Sequence, residues 1–236
     1  MRTKTHYFLG IITLLTLSAC GSSNNPRPTG PGEASPPLDP VIATALGSFD
    51  SSPTIEKGDR RTNVFADLET IDSNTSCEYQ ITETIEVKDV LSAQATFAYT
   101  RTAALSGNNP ANCPSQHPNL VSSQSRNDSI ANFVAFERRY IERQTNPETI
   151  RQRRSWVANV AIIGNAEETR LGIRCQRIDL ELQHQNGLKI RDRIWISMES
   201  QFLSLVEHER TYLDTNQTTT VDRLTSFSVR SGRLNY

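Results

Sequence analysis

Between Cys77 and Val87 apolar and polar positions trade places along the chain. Cys77, Tyr79, Ile81, Ile85 and Val87 stand against Glu78, Gln80, Thr82, Thr84 and Glu86. A period of two on a pleated backbone sends one set to a core and the other to solvent, so the segment predicts a strand. The alternation returns at Leu91, Ala93, Ala95, Phe97 and Tyr99. Residues 60–74 fit both geometries: Val64, Phe65, Leu68 and Ile71 have helical spacing, while Val64, Ala66 and Leu68 have strand spacing. Two further alternating runs meet around Gln185-Asn186-Gly187. A two-residue Asn-Gly turn would set Leu182 against Arg191 and Leu180 against Arg193. A three-residue loop with Gly187 in the left-handed region instead pairs Leu182 with Ile190 and Ile178 with Ile194. It also opposes Glu181 to Arg191 and Asp179 to Arg193 on the other face. A bulge near Gln176 would then bring Cys175 and Ile173 to the apolar face beside Ile196 and Met198.

Phe202–Tyr212 and Thr218–Val229 predict a last hairpin, with Leu203 near Phe227 and Glu207 near Arg223. Ile130–Arg143 and Thr149–Ile163 fit another around Thr145-Asn146-Pro147-Glu148, with Phe136 near Trp156 and Val134 near Ala158. A helix over Ser129–Arg143 fits the same residues, because Ile130, Phe133, Val134 and Ile141 approximate helical spacing. Leu38–Phe49 predicts a helix: Asp39 is a good N-cap, Pro40 suits the first helical position, and Val41, Ile42, Ala45, Leu46 and Phe49 form one stripe. No βαβ alternation occurs, which excludes a parallel dinucleotide-binding sheet. The expected fold is mainly β: one curved antiparallel sheet or open barrel of about eight long strands, with a short N-terminal helix packed on it.

The start of the chain reads differently. Arg2 and Lys4 precede an uncharged run from Tyr7 to Leu17, too short for a spanning helix, which needs about 20 residues. Leu17-Ser18-Ala19-Cys20-Gly21 follows and resembles the lipobox of bacterial lipoproteins. The resemblance covers residues 1–21 only. It implies a signal peptide over 1–19, a thioether-linked diacylglycerol and an N-acyl chain (palmitate among the candidates) on Cys20, and no other cofactor. Gly21 rather than Asp after the Cys matches the pattern of lipoproteins sorted to the outer membrane. Several acyl chains hold a protein where one would let go. Of the 18 residues 20–37, 13 are Pro, Gly, Ser or Asn. Such a stretch reads as a disordered tether, spanning roughly 23 Å as a coil. Residues 38–236 then form a single β-rich domain.

Composition narrows the function classes. Twenty-five basic and 26 acidic residues give a net charge of −1, which speaks against a nucleic-acid binder. With Cys20 taken by lipid, Cys77, Cys113 and Cys175 remain for an oxidising compartment. Cys77 and the loop holding Cys113 leave from the same end of the 77–102 hairpin, so a Cys77–Cys113 disulfide is expected, leaving Cys175 as a buried free thiol. Cys113-x-x-x-His117 offers two metal ligands where a structural zinc site wants four; no metal site is expected, and His117, His184 and His208 read as solvated. There is no Gly-x-Ser-x-Gly, phosphate loop or His-Glu-x-x-His. Glu207-His208-Glu209 places its acids on one strand face and its imidazole on the other, and reads as a surface charge pattern rather than a catalytic group.

Arginine outnumbers lysine 21 to 4, and residues 138–193 hold 12 basic against 7 acidic side chains. In the 130–163 hairpin Arg139 would face Arg153 and Arg138 would face Arg154, with Arg151 alongside. Like charges directly opposite destabilise a sheet, so these residues need acids or an external anion, and they are the candidate anion-binding set. Trp195-Ile196-Ser197, with Leu203-Ser204-Leu205-Val206-Glu207, is similar to a hairpin of periplasmic half-barrel proteins of the lipoprotein-carrier type, over residues of about 195–229. That resemblance implies a concave sheet holding acyl chains, with Trp156, Trp195, Phe97, Phe136 and Phe202 as candidate lining. The sequence thus points to a non-enzymatic envelope binding or structural module, anchored in the outer membrane and meeting a protein, polysaccharide or lipid. An acyl-chain carrier or sensor, and an envelope enzyme with an unrecognised site, are the alternatives.

Overall fold

The computed structural model describes residues 38–50, 54–72, 75–106, 109–230 and 234–235; the expected signal peptide, Cys20 and tether lie outside them. In chain order the elements are α1 (Pro40–Ala45) and a 3-10 turn (Gly47–Asp50), β1 (Arg60–Asp72), β2 (Thr75–Leu91), β3 (Gln94–Leu105) and β4 (Ser123–Ser129). Then come α2 (Ile130–Thr145), α3 (Pro147–Arg153), β5 (Val157–Arg170), β6 (Ile173–His184), β7 (Lys189–Ser197), β8 (Leu205–Tyr212), β9 (Gln217–Val229) and the short β10 (Leu234–Asn235).

The sheet order is β4-β3-β2-β1-β9-β8-β7-β6-β5, with β10 added to the end of β9. Two antiparallel meanders, β1–β4 and β5–β9, are fused through the β1–β9 pair. β4 and β5 are the two edges and do not pair, so the sheet stays open. β5 carries two irregularities, between Val157 and Asn159 and between Ile162 and Gly164, which blunt that edge as a template for further pairing.

The 60–74 ambiguity resolves as strand, because β1 is central and paired on both sides. The 185–187 loop forms as expected, with Gly187 at φ +91° and the pairs Leu182–Ile190, Ile178–Ile194, Glu181–Arg191 and Asp179–Arg193. The bulge expected near Gln176 is absent. The β6–β7 register runs unbroken from Cys175–Ser197 to Gln183–Lys189, and the irregularity lies instead between β7 and β8 at Trp195/Ile196. Cys175 and Ile173 therefore share a face with Arg177 and Trp195, and both are fully buried there. Glu207 pairs with Arg223 as expected, while Leu203 precedes β8 in a turn closed by Ser204 at φ +40°.

The 130–163 hairpin does not form; Ile130–Arg153 is two helices. Ser129 caps α2 through Asn132 N at 3.0 Å, and Ile130, Phe133, Val134, Glu137, Ile141 and Thr145 make its buried stripe. Asn146 then caps α3 through Glu148 N and Thr149 N, with Pro147 at its first position. Helix capping and a proline that cannot donate to a ladder outweigh the strand reading. It also removes the opposition of Arg139 to Arg153 and Arg138 to Arg154, and the expected Phe136–Trp156 and Val134–Ala158 contacts.

Because α2 and α3 join the two sheet edges, they must cross one face of the sheet. Phe133 of α2 stacks on Phe97 of β3 at 4.4 Å between ring centres and lies 5.8 Å from Phe202. The main core gathers α1 (Ile42, Ala45), α2, α3 (Ile150) and β5–β9 in one cluster. A second, smaller core holds Cys77, Tyr79 and Ile81 under the loop that carries Cys113 and Leu120. The Cys77–Cys113 disulfide is present, with a Cα–Cα distance of 5.7 Å.

Candidate functional site

The face under α2 is not purely apolar. Arg61 of β1 points into the main core, where its guanidinium donates to both carboxylate oxygens of Glu137 at 2.8 and 3.0 Å. It also donates to Phe202 O at 2.5 Å and Ser204 Oγ at 2.9 Å. The Ser204 hydroxyl donates back to Glu137 at 2.5 Å, and Arg61 lies over the Phe133 and Phe202 rings. Burial opposes the charge on Arg61, but Glu137 more than restores it and raises the guanidinium pKa. One turn further along α2, the Tyr140 hydroxyl donates to Asp222 at 3.0 Å, and Asn63 Nδ2 donates to the other oxygen at 3.2 Å. The helix is thus pinned to the sheet by two polar clasps as well as by phenylalanines.

Asp222 is buried, and desolvation pushes its carboxyl up to about 6, against the two donors and Arg61, with Glu83 adding to the rise. The native state therefore holds this proton more tightly than the unfolded chain. Its stabilising contribution is full below about pH 4 and is lost as pH rises through about 6. Asp222→Asn should remove that slope. Relative to the parent, the variant should gain about 1–3 kcal/mol between pH 4 and pH 8 in urea unfolding. His208, whose imidazole is lowered by burial, acts in the opposite direction below pH 6.5, but it is common to both chains. A difference that stays flat with pH would refute this reading of Asp222.

A third cluster sits on the same face across β7 and β8. Arg210 grips Asp192 with two bonds of 2.8 and 2.7 Å, His208 Nε2 lies 3.2 Å from the same carboxylate, and Arg154 approaches it to 3.7 Å. Burial alone would raise Asp192, but Arg210 and His208 hold it well below the usual carboxylate range. The opposite face carries a charge lattice. Glu207, fully buried, accepts from Arg170 and from Arg223; Arg170 also reaches Glu209 and lies 4.6 Å from the Trp195 ring centre. Arg177 bridges Glu168 and Asp179, and Trp195 Nε1 donates to Glu168. Glu207-His208-Glu209 is therefore not a surface pattern. Alternation sends its acids and its imidazole to opposite faces as expected, but both faces are covered there.

His117 is also not solvated. Its side chain is 5% exposed, packs 4.7 Å from Tyr79 and lies 2.9 Å from Asp67. Asp67, Glu69 and His117 bring three ligand-type atoms within 4.8 Å of one another. The polarity of the ring suits a proton better than a metal. Its Nδ1 accepts from Asn119 N at 3.2 Å, which puts the ring proton on Nε2, facing Asp67. A histidine that ligates through Nε2 normally donates its other N–H outward, and Asn119 N blocks that arrangement. His184 stacks on Trp156 at 5.4 Å. Cys175 is a free buried thiol, pushed up to about 12 by burial and so a poor nucleophile.

No family model, curated protein or solved structure matches this chain. The assignment of a site therefore rests on its own geometry. The candidate lining aromatics do not share one wall. Phe97 and Phe202 meet Phe133 in the core, Trp195 sits on the opposite face beside Arg170 and Glu168, Trp156 pairs with His184, and Phe136 is 52% exposed on the outside of α2. The candidate arginines all fall on α2, α3 or the residue that ends α3. Arg138 bonds Glu142 one turn on, Arg151 bonds Glu148, and Arg154 turns inward to Asp192 and Gln144. Arg139 and Arg153 are exposed, as is Arg143. Arg61, Glu137, Asp192 and Asp222 carried no motif. Only Glu137 left a trace, sitting four residues from both Phe133 and Ile141 on the buried stripe.

Proposed function

We propose that this chain is an outer-membrane-anchored lipoprotein, tethered through acylated Cys20, whose β body is a non-catalytic module that engages an acidic envelope partner through α2 and α3. One observation carries the reading: residues 130–154 hold six arginines against Glu137, Glu142 and Glu148, and Glu137 is spent inside the core on Arg61. Four of those arginines, Arg139, Arg143, Arg151 and Arg153, are exposed on two consecutive helices. On the far face of the sheet, Glu168, Arg170, Arg177, Asp179, Glu207 and Arg223 pair with one another. Arginine is suited to carboxylate and phosphate, so the same surface serves either. Contacting Phe97, Phe133, Phe202 and Arg61 occupy the space between helix and sheet where a carrier would hold acyl chains.

Cys20→Ala should abolish palmitate labelling of the protein in cells; persistent label removes the anchor. The mature Cys20→Ala chain should be retained on immobilised heparin, used as a polyanion probe, and eluted by salt. Glutamates at 139, 143, 151 and 153 should lower the eluting salt sharply. Elution at unchanged salt would overturn the basic surface.

A further inference from the structure

We infer that the outward stripe of α2 is a docking surface for an anionic phospholipid bilayer, the membrane that holds the protein's own anchor; this rests on the lipid-anchored reading above. The exposed positions of α2 are Ala131, Asn132, Ala135, Phe136, Arg139 and Arg143, and none is acidic. Glu137 is turned inward and Glu142 is paired with Arg138. The N-terminal half of the stripe is small and uncharged around one protruding ring, with Asn132 bonded back to Asp128 and Phe136 52% exposed. The C-terminal half is cationic, with Arg139 and Arg143 one turn apart, about 6 Å along the axis. A ring at the level of the acyl boundary with arginines at the level of the phosphates is the arrangement by which a surface helix lies in a membrane interface.

The same stripe is a poor fit for a protein groove. A helix that docks into a groove presents large apolar anchors at spacings of three, four and seven residues. On α2 those anchors are Ile130, Phe133, Val134 and Ile141, and all are committed to the core. One aromatic among two alanines, an asparagine and two arginines leaves no second anchor for such a groove. A bilayer needs none, because it is a continuous apolar layer beneath a phosphate surface. Alone, one ring and a few arginines bind weakly. With Cys20 acylated 18 residues before Leu38, the bilayer is held at high local concentration, and a weak contact suffices to set the orientation of the body. Docking through α2 would leave the opposite face of the sheet, with its Glu207 and Trp195 lattice, turned away from the membrane.

The test uses the mature Cys20→Ala chain, so that the anchor contributes nothing. Vesicles of phosphatidylcholine with about one third phosphatidylglycerol should bind it in flotation, pure phosphatidylcholine should bind it much less, and salt should weaken the interaction. Phe136→Ser and the Arg139→Glu/Arg143→Glu pair should each reduce partitioning roughly tenfold, with unchanged circular dichroism because all three side chains are exposed. Phe136→Trp should show fluorescence quenched by brominated lipid only in the anionic vesicles. Equal partitioning of the parent and both variants, or no binding to anionic vesicles, would overturn the docking surface. Heparin retention without vesicle binding would also overturn it, in favour of an acidic protein or polysaccharide, and would leave the proposed function standing. Palmitate label that persists in Cys20→Ala would strike the proposed function itself.

Discussion

Glu137→Ala should destabilise the protein by about 3–5 kcal/mol, the cost of leaving a buried arginine without its counter-charge. Arg61 is 7% exposed and Glu137 3%, so water cannot easily replace the lost carboxylate. Ser204 loses its acceptor in the same step, and Phe202 O and Ser204 Oγ, both neutral, are left as the oxygen partners of the Arg61 guanidinium. Glu137→Gln should cost less, because its amide oxygen still accepts one bond while the charge is gone. Replacing both members, Arg61→Met with Glu137→Leu, should recover most of the loss, since apolar residues of similar volume often match a buried ion pair. Urea unfolding of the four chains would measure the coupling between the two positions. Additive losses, with the double variant as unstable as the sum of the singles, would mean that the pair does not act as a unit. If the loss instead comes from the helix alone, Phe133→Ala should reproduce it without changing the Arg61 coupling.

Removing the disulfide is the second large change. Cys77→Ser/Cys113→Ser opens a loop whose ends are 36 residues apart, worth about 4 kcal/mol in the chain-entropy model. The loss should be local in character. The bridge secures the loop that covers the small core of Cys77, Tyr79 and Ile81, where Tyr79 also bonds Pro114 O at 2.8 Å. Amide exchange should therefore accelerate first in the loop around Cys113–Leu120 and in the ends of β1 and β2 that it covers, before β6–β8. Uniform acceleration across the sheet would show that the two cores unfold as one. The free Cys175 should stay unreactive to thiol reagents in the native state in both chains, because burial keeps it protonated.

Much of the sheet was legible because alternation is a local signal. The β6–β7 register could be chosen by one criterion, that apolar residues and opposite charges should both find partners, and the pairs Leu182–Ile190 and Asp179–Arg193 satisfy it. The Cys77–Cys113 bridge followed from which end of a hairpin each residue leaves. The segment 130–153 was not settled in this way, because its spacing fits two geometries, one of which sets its arginines against one another across a turn. The deciding contacts are caps at Ser129 and Asn146 and a buried stripe completed by Glu137. A glutamate on an apolar face looks like an interruption until its partner is known, and that partner lies 76 residues away in β1. The surface reading of Glu207 and His208 failed for a related reason. Strand alternation fixes which residues share a face, but it does not say whether that face meets water.

The amino-acid order alone determined that this is an antiparallel protein with a short capped helix at Pro40, a left-handed Gly187 turn, and a lipobox-like start. Each of these depends on neighbours within a few positions, where sterics, hydrogen bonding and the pleat operate directly. Folding in three dimensions decided the rest: which strands join the two meanders, where Arg61 finds Glu137, and which arginines remain on the outside. Those outcomes depend on desolvation and on contacts between distant segments, and a charge becomes costly or harmless only when the surrounding protein has determined how much water it keeps.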